Sequence, residues 1–404
     1  MDGSLRTLER ALAAGDDQVR LHLATAYQRL GRAPEALSVL APLAAEPEAV
    51  ALSELLWREE LSALRPAARV KGQRAYGELW GWAGAHPVLL ESALERTAPQ
   101  AARLLGVVDL GRERFVWELP PRLPRPGRPV GAGEGELLLA GDRPGTLLRH
   151  RLHEDPGAAE TLTVDDEGQV VAVEGEWALL SVSWPGGREL RAVRLGGGLQ
   201  SGARGRVARG GRRLQWTLDE RGARLVWLNE EQLWTGDLAG REEARPLARA
   251  RLQPATRLEA ALQGEALLAE PLQAVPLDGG EPRMLAPLRG HGPWRRSRDG
   301  RYFLGYRLGL PLAVASQGVA TRSPTLAPPR GLSRAFWHPH AALVALGRAD
   351  EGTELRDLEG AVVTQLPRDA VPLGWRPDGR GLLVVRRLGP VSGLLELWTP
   401  GGTP

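Results

Sequence analysis

The sequence predicts an α+β chain in which a helical N-terminal segment is followed by a long region of short antiparallel strands. Apolar residues recur at spacings of three and four over roughly the first hundred residues, and then give way to short apolar runs separated by Gly, Pro and Asp. The 404 residues include 50 Gly and 32 Pro, which favours many turns. In the second region a tryptophan, a polar turn and an apolar run recur together.

The clearest helical stretch is "LHLATAYQRLGRAPEALSVLAPLAAEPEA", from Leu21 to Ala49. Its apolar spacing indicates two amphipathic helices with a break at Gly31. The stretch resembles a tetratricopeptide repeat, and the matching residues are Ala24, Tyr27, Gly31, Ala36 and Leu40, with Pro47 near the closing proline. That resemblance implies a short helical solenoid whose concave surface binds a peptide or a partner helix. We therefore predict a TPR-like helical domain over residues 1–107.

A second interpretation of these residues is a plain helical-hairpin domain packed on its neighbour. The tryptophans between Trp57 and Trp82 indicate packing rather than a ligand cage, since each ring buries about 150–250 Å². If the helices do hold a partner, we predict that the contact is an exposed groove between Tyr27 and Trp57.

The second region repeats with a period of roughly 40 residues, which is the period of a β-propeller blade. The clearest units are "WTLDERGARLVWL" at Trp216, "WRRSRDGRYFLGY" at Trp294, "WHPHAALVAL" at Trp337 and "WRPDGRGLLVV" at Trp375. A single four-stranded blade cannot bury both faces, so blades stack around an axis. Seven units fit between residues about 130 and 402, and we predict an all-β propeller of seven blades over residues 108–404.

Closure of the ring gives a further prediction. The last unit ends at "LWTPGGTP" with no residues left for a fourth strand, whereas "RERFVWEL", residues 112–119, is a strand-like run without a partner. We predict that this run completes the last blade near Leu397. The Trp-x-Pro-Asp-Gly-Arg opening at Trp375 resembles the WD-repeat and TolB-type propellers, although the Trp-Asp dipeptide and the Gly-His pair of well-formed WD repeats are absent.

Composition excludes several classes of protein. The formal charge is only +3, which is not typical of a dedicated nucleic-acid binder, and the lack of cysteine excludes disulfides and thiolate metal sites. No apolar run approaches the roughly 18 residues that span a bilayer, and the acidic N-terminus has no signal-peptide pattern, so we expect a cytoplasmic protein. One lysine, one asparagine and no isoleucine indicate a GC-rich bacterial genome, in which an arginine cluster is less informative than usual.

We predict no catalytic, cofactor or metal site. His150 and His153 alternate along a predicted strand and would point to opposite faces, and His340 stands where the next repeat has the Asp of its turn. Two basic stretches could form a positive rim for phosphate or an acidic partner, or could be solvated loops. Their arginines are Arg204, Arg206, Arg209, Arg295 and Arg296. The tryptophan that recurs at one repeat position indicates packing between blades.

These observations predict a non-enzymatic scaffold or regulatory adaptor that binds one or more proteins through its helical groove and its propeller face. Fold alone does not fix function. The alternative is an enzyme or small-ligand-binding propeller that acts at the central channel, which acidic and histidine side chains converging from several blades would favour.

Overall fold

The computed structural model describes residues 2–43, 46–72, 76–91, 104–118, 129–133, 135–152, 159–164, 167–195, 201–210, 214–219, 222, 224–229, 232–238, 243–247, 256–286, 291–297, 300–307, 310–318, 321–322, 332–348, 352–387 and 393–401. Within these residues, four α-helices precede eight four-stranded antiparallel sheets.

All four helices lie N-terminal to residue 63, and we call residues 2–62 the helical cap. They are α1 (Asp2–Ala13), α2 (Arg20–Arg29), α3 (Ala33–Leu40) and α4 (Pro47–Ser62), with 3₁₀ turns at Asp17–Val19 and Ala41–Leu43. The helices α2 and α3 meet at Gly31, whose φ of 68° suits glycine at a helix C-terminus. Pro47 opens α4, where a missing N–H costs nothing.

The cap is smaller than the sequence predicts. Helix ends at Ser62, so the predicted helical domain over residues 1–107 is wrong beyond that point. Four short helices do not support a tetratricopeptide-like domain, because such repeats need about three stacked helical pairs to bury a continuous core. The aromatic residues of "YGELWGWA" lie on a strand, although the sequence predicts helix for this segment.

Each sheet is one propeller blade. Blade 1 contains β2 (Tyr76–Ala83), β3 (His86–Glu91), β4 (Leu104–Asp109) and β5 (Arg114–Glu118); blade 2 contains β6 (Pro129–Gly133), β7 (Glu136–Ala140), β8 (Thr146–Arg151) and β9 (Glu160–Thr163). Blade 3 contains β10 (Gln169–Glu174), β11 (Trp177–Trp184), β12 (Gly187–Leu195) and β13 (Ser201–Gly210); blade 4 contains β14 (Gln215–Leu218), β15 (Arg224–Leu228), β16 (Leu233–Asp237) and β17 (Arg245–Pro246).

The second half of the ring follows the same pattern. Blade 5 contains β18 (Arg257–Leu262), β19 (Glu265–Ala269), β20 (Leu272–Pro276) and β21 (Arg283–Ala286); blade 6 contains β22 (His291–Arg296), β23 (Tyr302–Arg307), β24 (Leu310–Ala315) and β25 (Thr321–Arg322). Blade 7 contains β26 (Leu332–Trp337), β27 (Val344–Arg348), β28 (Gly352–Arg356) and β29 (Val362–Gln365); blade 8 contains β30 (Ala370–Trp375), β31 (Leu382–Arg387), β32 (Gly393–Pro400) and β1 (Leu64–Gly72).

The ring has eight blades, and the predicted number of seven is wrong. The additional blade is blade 1, built from residues between 76 and 118, most of which the sequence assigned to helix. The first strands β30 and β2 contact each other, so that blade 8 lies beside blade 1 and the ring is closed.

The segment that completes the last blade also differs from the predicted one. Strand β1 pairs antiparallel with β32, from Leu64 opposite Pro400 to Gly72 opposite Gly393. The predicted closing run forms β5 instead, and Phe115 pairs with Val108 of blade 1 rather than with Leu397. Strand β1 reads "LRPAARVKG", and its proline and charges are tolerated because it is the outermost strand of its sheet.

Tryptophans near the ends of the first strands join neighbouring blades. The indole N–H of Trp337 donates to the carbonyl of Gly305 at 2.9 Å, and that of Trp375 donates to Phe336 at 3.0 Å. Trp82 of blade 1 donates in the same way to the carbonyl of Trp375 at 2.9 Å. The recurring tryptophan therefore packs between blades, as its repeat position indicates.

Candidate functional site

The helical cap packs against blades 7 and 8. Its buried residues share one apolar cluster with Ala341, Leu343, Trp375, Leu382 and Trp398 of these blades. In a four-stranded antiparallel sheet the first and third turns lie at the same end. The turns that contact the cap are all first or third turns of their blades, namely residues 338–343, 357–361 and 376–381. The cap thus lies over blades 7 and 8 on one face of the ring, and we call this face the cap face.

Two polar contacts of α4 join it to blade 7. The Glu54 carboxylate accepts from the backbone N–H of Ala342 through both oxygens, at 3.1 and 3.2 Å. One turn further along, Nη2 of Arg58 donates to Oδ2 of Asp357 at 2.5 Å. Because Asp357 also accepts from the backbone N–H of Ala361 at 2.8 Å, this carboxylate orders its own turn while it anchors α4.

The centre of the cap interface is an aromatic cluster around His338. Trp57 of α4 is only 4 % exposed, and its ring centroid lies 4.7 Å from that of His338 and 6.0 Å from that of His340. Trp375 of blade 8 meets His338 edge-on at 4.7 Å. The cluster therefore joins three elements that are remote in the sequence.

His338 is completely buried and held in one tautomer. Its Nδ1 accepts from the backbone N–H groups of Ala341 at 2.9 Å and of His340 at 3.2 Å, so the ring proton is on Nε2, which donates to the carbonyl of Gly379 at 2.8 Å. Burial lowers the pKa of His338 well below its ordinary value, and the nearby charge of Arg295 acts in the same direction. The imidazole is therefore neutral, because a proton on Nδ1 would face two N–H donors.

An open groove of about 580 Å³ lies between α3 and the first turn of blade 8. One wall contains Glu35, Ser38 and Ala41, the other contains His340, Asp378 and Arg380, and the edge of Trp57 lines it as well. His340 holds the second wall in place, since its Nε2 lies 2.7 Å from the carbonyl of Pro377. We call this surface the α3 groove.

Charges of both signs border the α3 groove. The hydrogen bond from Arg32 to Glu35, at 2.8 Å, lowers the pKa of that carboxyl, and the charge of Arg380 acts in the same direction. Burial raises the pKa of Glu60, against the opposing charge of Arg380. Arg380 is thus near two carboxyl groups of the cap, one on α3 and one on α4.

The structure buries both aromatic residues of the predicted helical groove. Tyr27 lies in the cap core, where its hydroxyl donates to Oε1 of Glu9 at 2.8 Å and the guanidinium of Arg32 lies 4.6 Å from its ring centre. Trp57 packs on the propeller. The expectation of an exposed groove between these two rings is therefore corrected: the groove that the structure shows runs along α3, and Trp57 reaches it by an edge.

Arg295 and Arg296 do not form a positive rim. Nη2 of Arg295 donates to the carbonyl of Ala341 at 2.5 Å, and burial of its guanidinium lowers the pKa to about 10. Arg296 forms an ion pair with Glu265, with 3.0 Å between Nη1 and Oε2. Both side chains contact the propeller itself, which the sequence pattern of adjacent arginines does not reveal.

The other predicted arginines are Arg204, Arg206 and Arg209, which lie on β13, the outer strand of blade 3. They stand opposite Val193, Arg191 and Glu189 of β12 in the register. Their side chains lie outside the described part of the structure, so their role in partner binding stays a prediction.

Sequence reasoning missed the residues that fix the cap, namely Glu54, Arg58 and His338. Glu54 and Arg58 belong to no motif. His338 stands in the turn of the repeat unit at Trp337, and the divergence of this turn from Pro-Asp-Gly was the only available signal. Within the described residues no group of three His, Cys, Asp or Glu side chains could hold a metal ion. No described helix is both long enough and apolar enough to cross a membrane.

The chain is thus an eight-bladed β-propeller with a helical cap on one face and a last blade completed by the strand that follows the cap. No protein-family model matches it, and no curated protein matches it. One solved structure that it resembles is the crystal structure of BamB from Moraxella catarrhalis, at 11 % identity and a TM-score of 0.47, covering 83 % of this chain and 99 % of that chain. A similarity at this level carries no functional information about the chain.

Proposed function

We propose that this protein is a non-enzymatic adaptor that holds a segment of a partner protein in the α3 groove. The observation that carries the proposal is that the groove has one wall from the cap and one from the propeller. Buried contacts such as Trp57 on His338 hold these two walls together. A concave surface that exists before binding avoids the cost of ordering it, which favours recognition.

The lining of the α3 groove suits a peptide segment with one apolar anchor. Ala41 and Ser38 are small and exposed, which leaves room for a side chain above the edge of Trp57. Glu35, Asp378 and Arg380 surround this space with charges that can orient the polar backbone and neighbours of the anchor. Such a mixture of an apolar centre and a polar rim is typical of protein interfaces.

Replacing Ala41 by arginine is expected to abolish capture of the partner, because the long charged side chain fills the α3 groove. Ala41 is exposed, so the free energy of unfolding should stay within about 0.5 kcal/mol of wild type. The measurement is quantitative affinity purification from the native host, in which we expect the specific partner to fall at least about tenfold, equivalent to about 1.4 kcal/mol.

The matched control is Ala51→Arg, which adds the same side chain at an exposed position of α4 outside the groove lining. Capture should survive in this variant. Equal capture by wild type and both variants would contradict binding in the α3 groove and would leave the central channel as the alternative binding site.

A further inference from the structure

The three charged side chains that line the α3 groove differ in whether they already have an ion-pair partner. Glu35 of α3 is paired with Arg32, with 2.8 Å between Oε1 and Nε. Asp378 of blade 8 is paired with Arg376, with 2.7 Å between Oδ2 and Nη2. Among the residues that the structure describes, the guanidinium of Arg380 forms no hydrogen bond and no ion pair. The groove therefore contains one cation whose N–H donors are available to a ligand.

The turn that carries Arg380 lies on the cap face and is held in place by contacts within the protein. The backbone N–H of Arg380 donates to Oδ1 of Asp378 at 2.9 Å, and that of Gly379 donates to the carbonyl of Arg376 at 3.0 Å. Gly379 has a φ of 74°, and a Cβ atom there would lie 2.6 Å from Nε2 of His338, so the turn requires glycine. A ligand therefore meets a backbone that is already ordered, which lowers the entropy cost of binding.

Two carboxyl groups of the cap act on Arg380 at longer range. The hydrogen bond from Arg32 is the main cause that lowers the pKa of Glu35, and the charge of Arg380 adds to it. Burial raises the pKa of Glu60, and the charge of Arg380 opposes this rise. In the described part of the structure neither carboxylate forms an ion pair with Arg380, so neither uses the donors that a ligand carboxylate would contact.

We propose that the α3 groove selects an acidic peptide, in which an Asp or Glu side chain pairs with Arg380 and a neighbouring apolar residue packs over Ala41. This inference rests on the proposed function and names the class of segment that the groove takes. A guanidinium offers five N–H donors in a planar arrangement that matches a carboxylate. A basic ligand residue would instead have to displace Arg32 or Arg376 from carboxylates that they already contact.

The test is a selection of random peptides displayed on phage, with the full chain as bait. Clones retained by wild type but not by Ala41→Trp, a large neutral side chain that fills the groove without adding a charge, form the groove-dependent set. In this set we expect an Asp or Glu next to an apolar residue at least about three times as often as in the unselected library. Arg380→Gln should lose this preference.

The matched control is Arg29→Gln, which removes the same charge from an exposed arginine of α2 outside the groove lining and should keep the acidic preference. A synthetic peptide from the groove-dependent set then measures the pairing by fluorescence polarisation. Changing its acidic residue to the neutral amide should weaken binding to wild type at least about threefold and leave binding to Arg380→Gln unchanged. Changing that residue to lysine should restore binding to Arg380→Glu.

The possible failures separate the acidic specificity from the proposed function. A groove-dependent set with no acidic preference, or an acidic preference that Arg380→Gln retains, would overturn the role of Arg380 and leave peptide binding in the α3 groove intact. If no clone depends on Ala41, both the proposed function and the acidic specificity are contradicted.

Discussion

Replacing Val70 by aspartate is expected to open the propeller ring. Val70 is 2 % exposed on β1, opposite Leu395 of the last blade, and packs in an apolar layer with Leu383 and Leu397. An aspartate at this position would lie in this apolar layer, so it must either lose its charge or draw water into the sheet. We expect the free energy of unfolding in urea to fall by about 3 kcal/mol or more.

The control for this change is the next residue of the same strand. Lys71 is exposed, since alternate side chains of a strand point to opposite faces, and Lys71→Asp should change the free energy of unfolding by less than about 0.5 kcal/mol. A loss of similar size at both positions, or a Val70→Asp protein as stable as wild type, would contradict the role of β1 in closing the ring.

Acidification below pH 6.5 is expected to weaken the junction between the cap and blades 7 and 8. The folded protein keeps His338 neutral because burial depresses its pKa, whereas the unfolded chain takes up a proton at about pH 6.5. The unfolded state then binds more protons, so stability is full above about pH 6.5 and falls as the pH drops towards the depressed pKa. The maximum slope from this residue is about 1.4 kcal/mol per pH unit.

The groups around His338 strengthen this expectation. Arg295 of blade 6 and His340 of the same turn both lower the pKa of His338. From α4, the ring centroid of Trp57 lies 4.7 Å from that of His338, and the Glu54 carboxylate accepts from Ala342 in the same turn. Blade 8 contributes the carbonyl of Gly379, which accepts from Nε2 and opposes the shift without reversing it. A charged imidazole would place its Nδ1 proton against the N–H groups of two backbone positions.

The measurement is the free energy of unfolding between pH 7.5 and 5. The variant His338→Asn keeps a side-chain oxygen that can accept from the turn but cannot take up the proton, so part of the slope should disappear. The control His22→Gln replaces an exposed histidine of α2 and leaves His338 in place, so the slope should persist. A slope that is the same in wild type and His338→Asn would refute the role of this histidine.

The sequence predicts the repeating part of the fold wherever the repeat keeps its local signature. A tryptophan, a turn and an apolar run mark blades 4, 6, 7 and 8, at Trp216, Trp294, Trp337 and Trp375. Blade 1 carries the same element at Trp82, but the turn that follows is short, Gly84-Ala85, and lacks the Pro-Asp-Gly pattern. Its aromatic residues are dense enough to fit helical spacing by chance, so the local pattern predicts a helical domain for this segment.

The closing strand could not be found from local pattern for a different reason. The outermost strand of a sheet buries only part of its surface, and "LRPAARVKG" accordingly shows few apolar residues and includes a proline. The more hydrophobic run around Phe115 was the better local candidate, yet it pairs inside blade 1. The pairing of β1 with β32 joins the two ends of the propeller sequence, so it depends on closure of the whole ring and not on the local pattern of β1.

The candidate site depends on contacts between residues far apart in the chain. Glu54 and Ala342 are separated by 288 positions, and neither local sequence predicts the contact between them. The burial of Tyr27 and Trp57 could be predicted from the sequence, because large aromatic residues on the apolar side of a helix favour a core position. The groove along α3 could not be predicted, since its second wall comes from the blade 8 turn.

Closure of the ring by Leu64–Gly72 can be measured directly, because the chain has no cysteine. Lys71 and Leu394 stand opposite each other, and the Cβ atoms of opposed residues lie about 4.5–5.5 Å apart, close to the span of a disulfide. We predict that a folded Lys71→Cys, Leu394→Cys protein forms an intramolecular disulfide on mild oxidation, seen as faster migration without reductant, and that a Phe115→Cys, Leu397→Cys protein does not. A disulfide in the second protein and none in the first would contradict the closure.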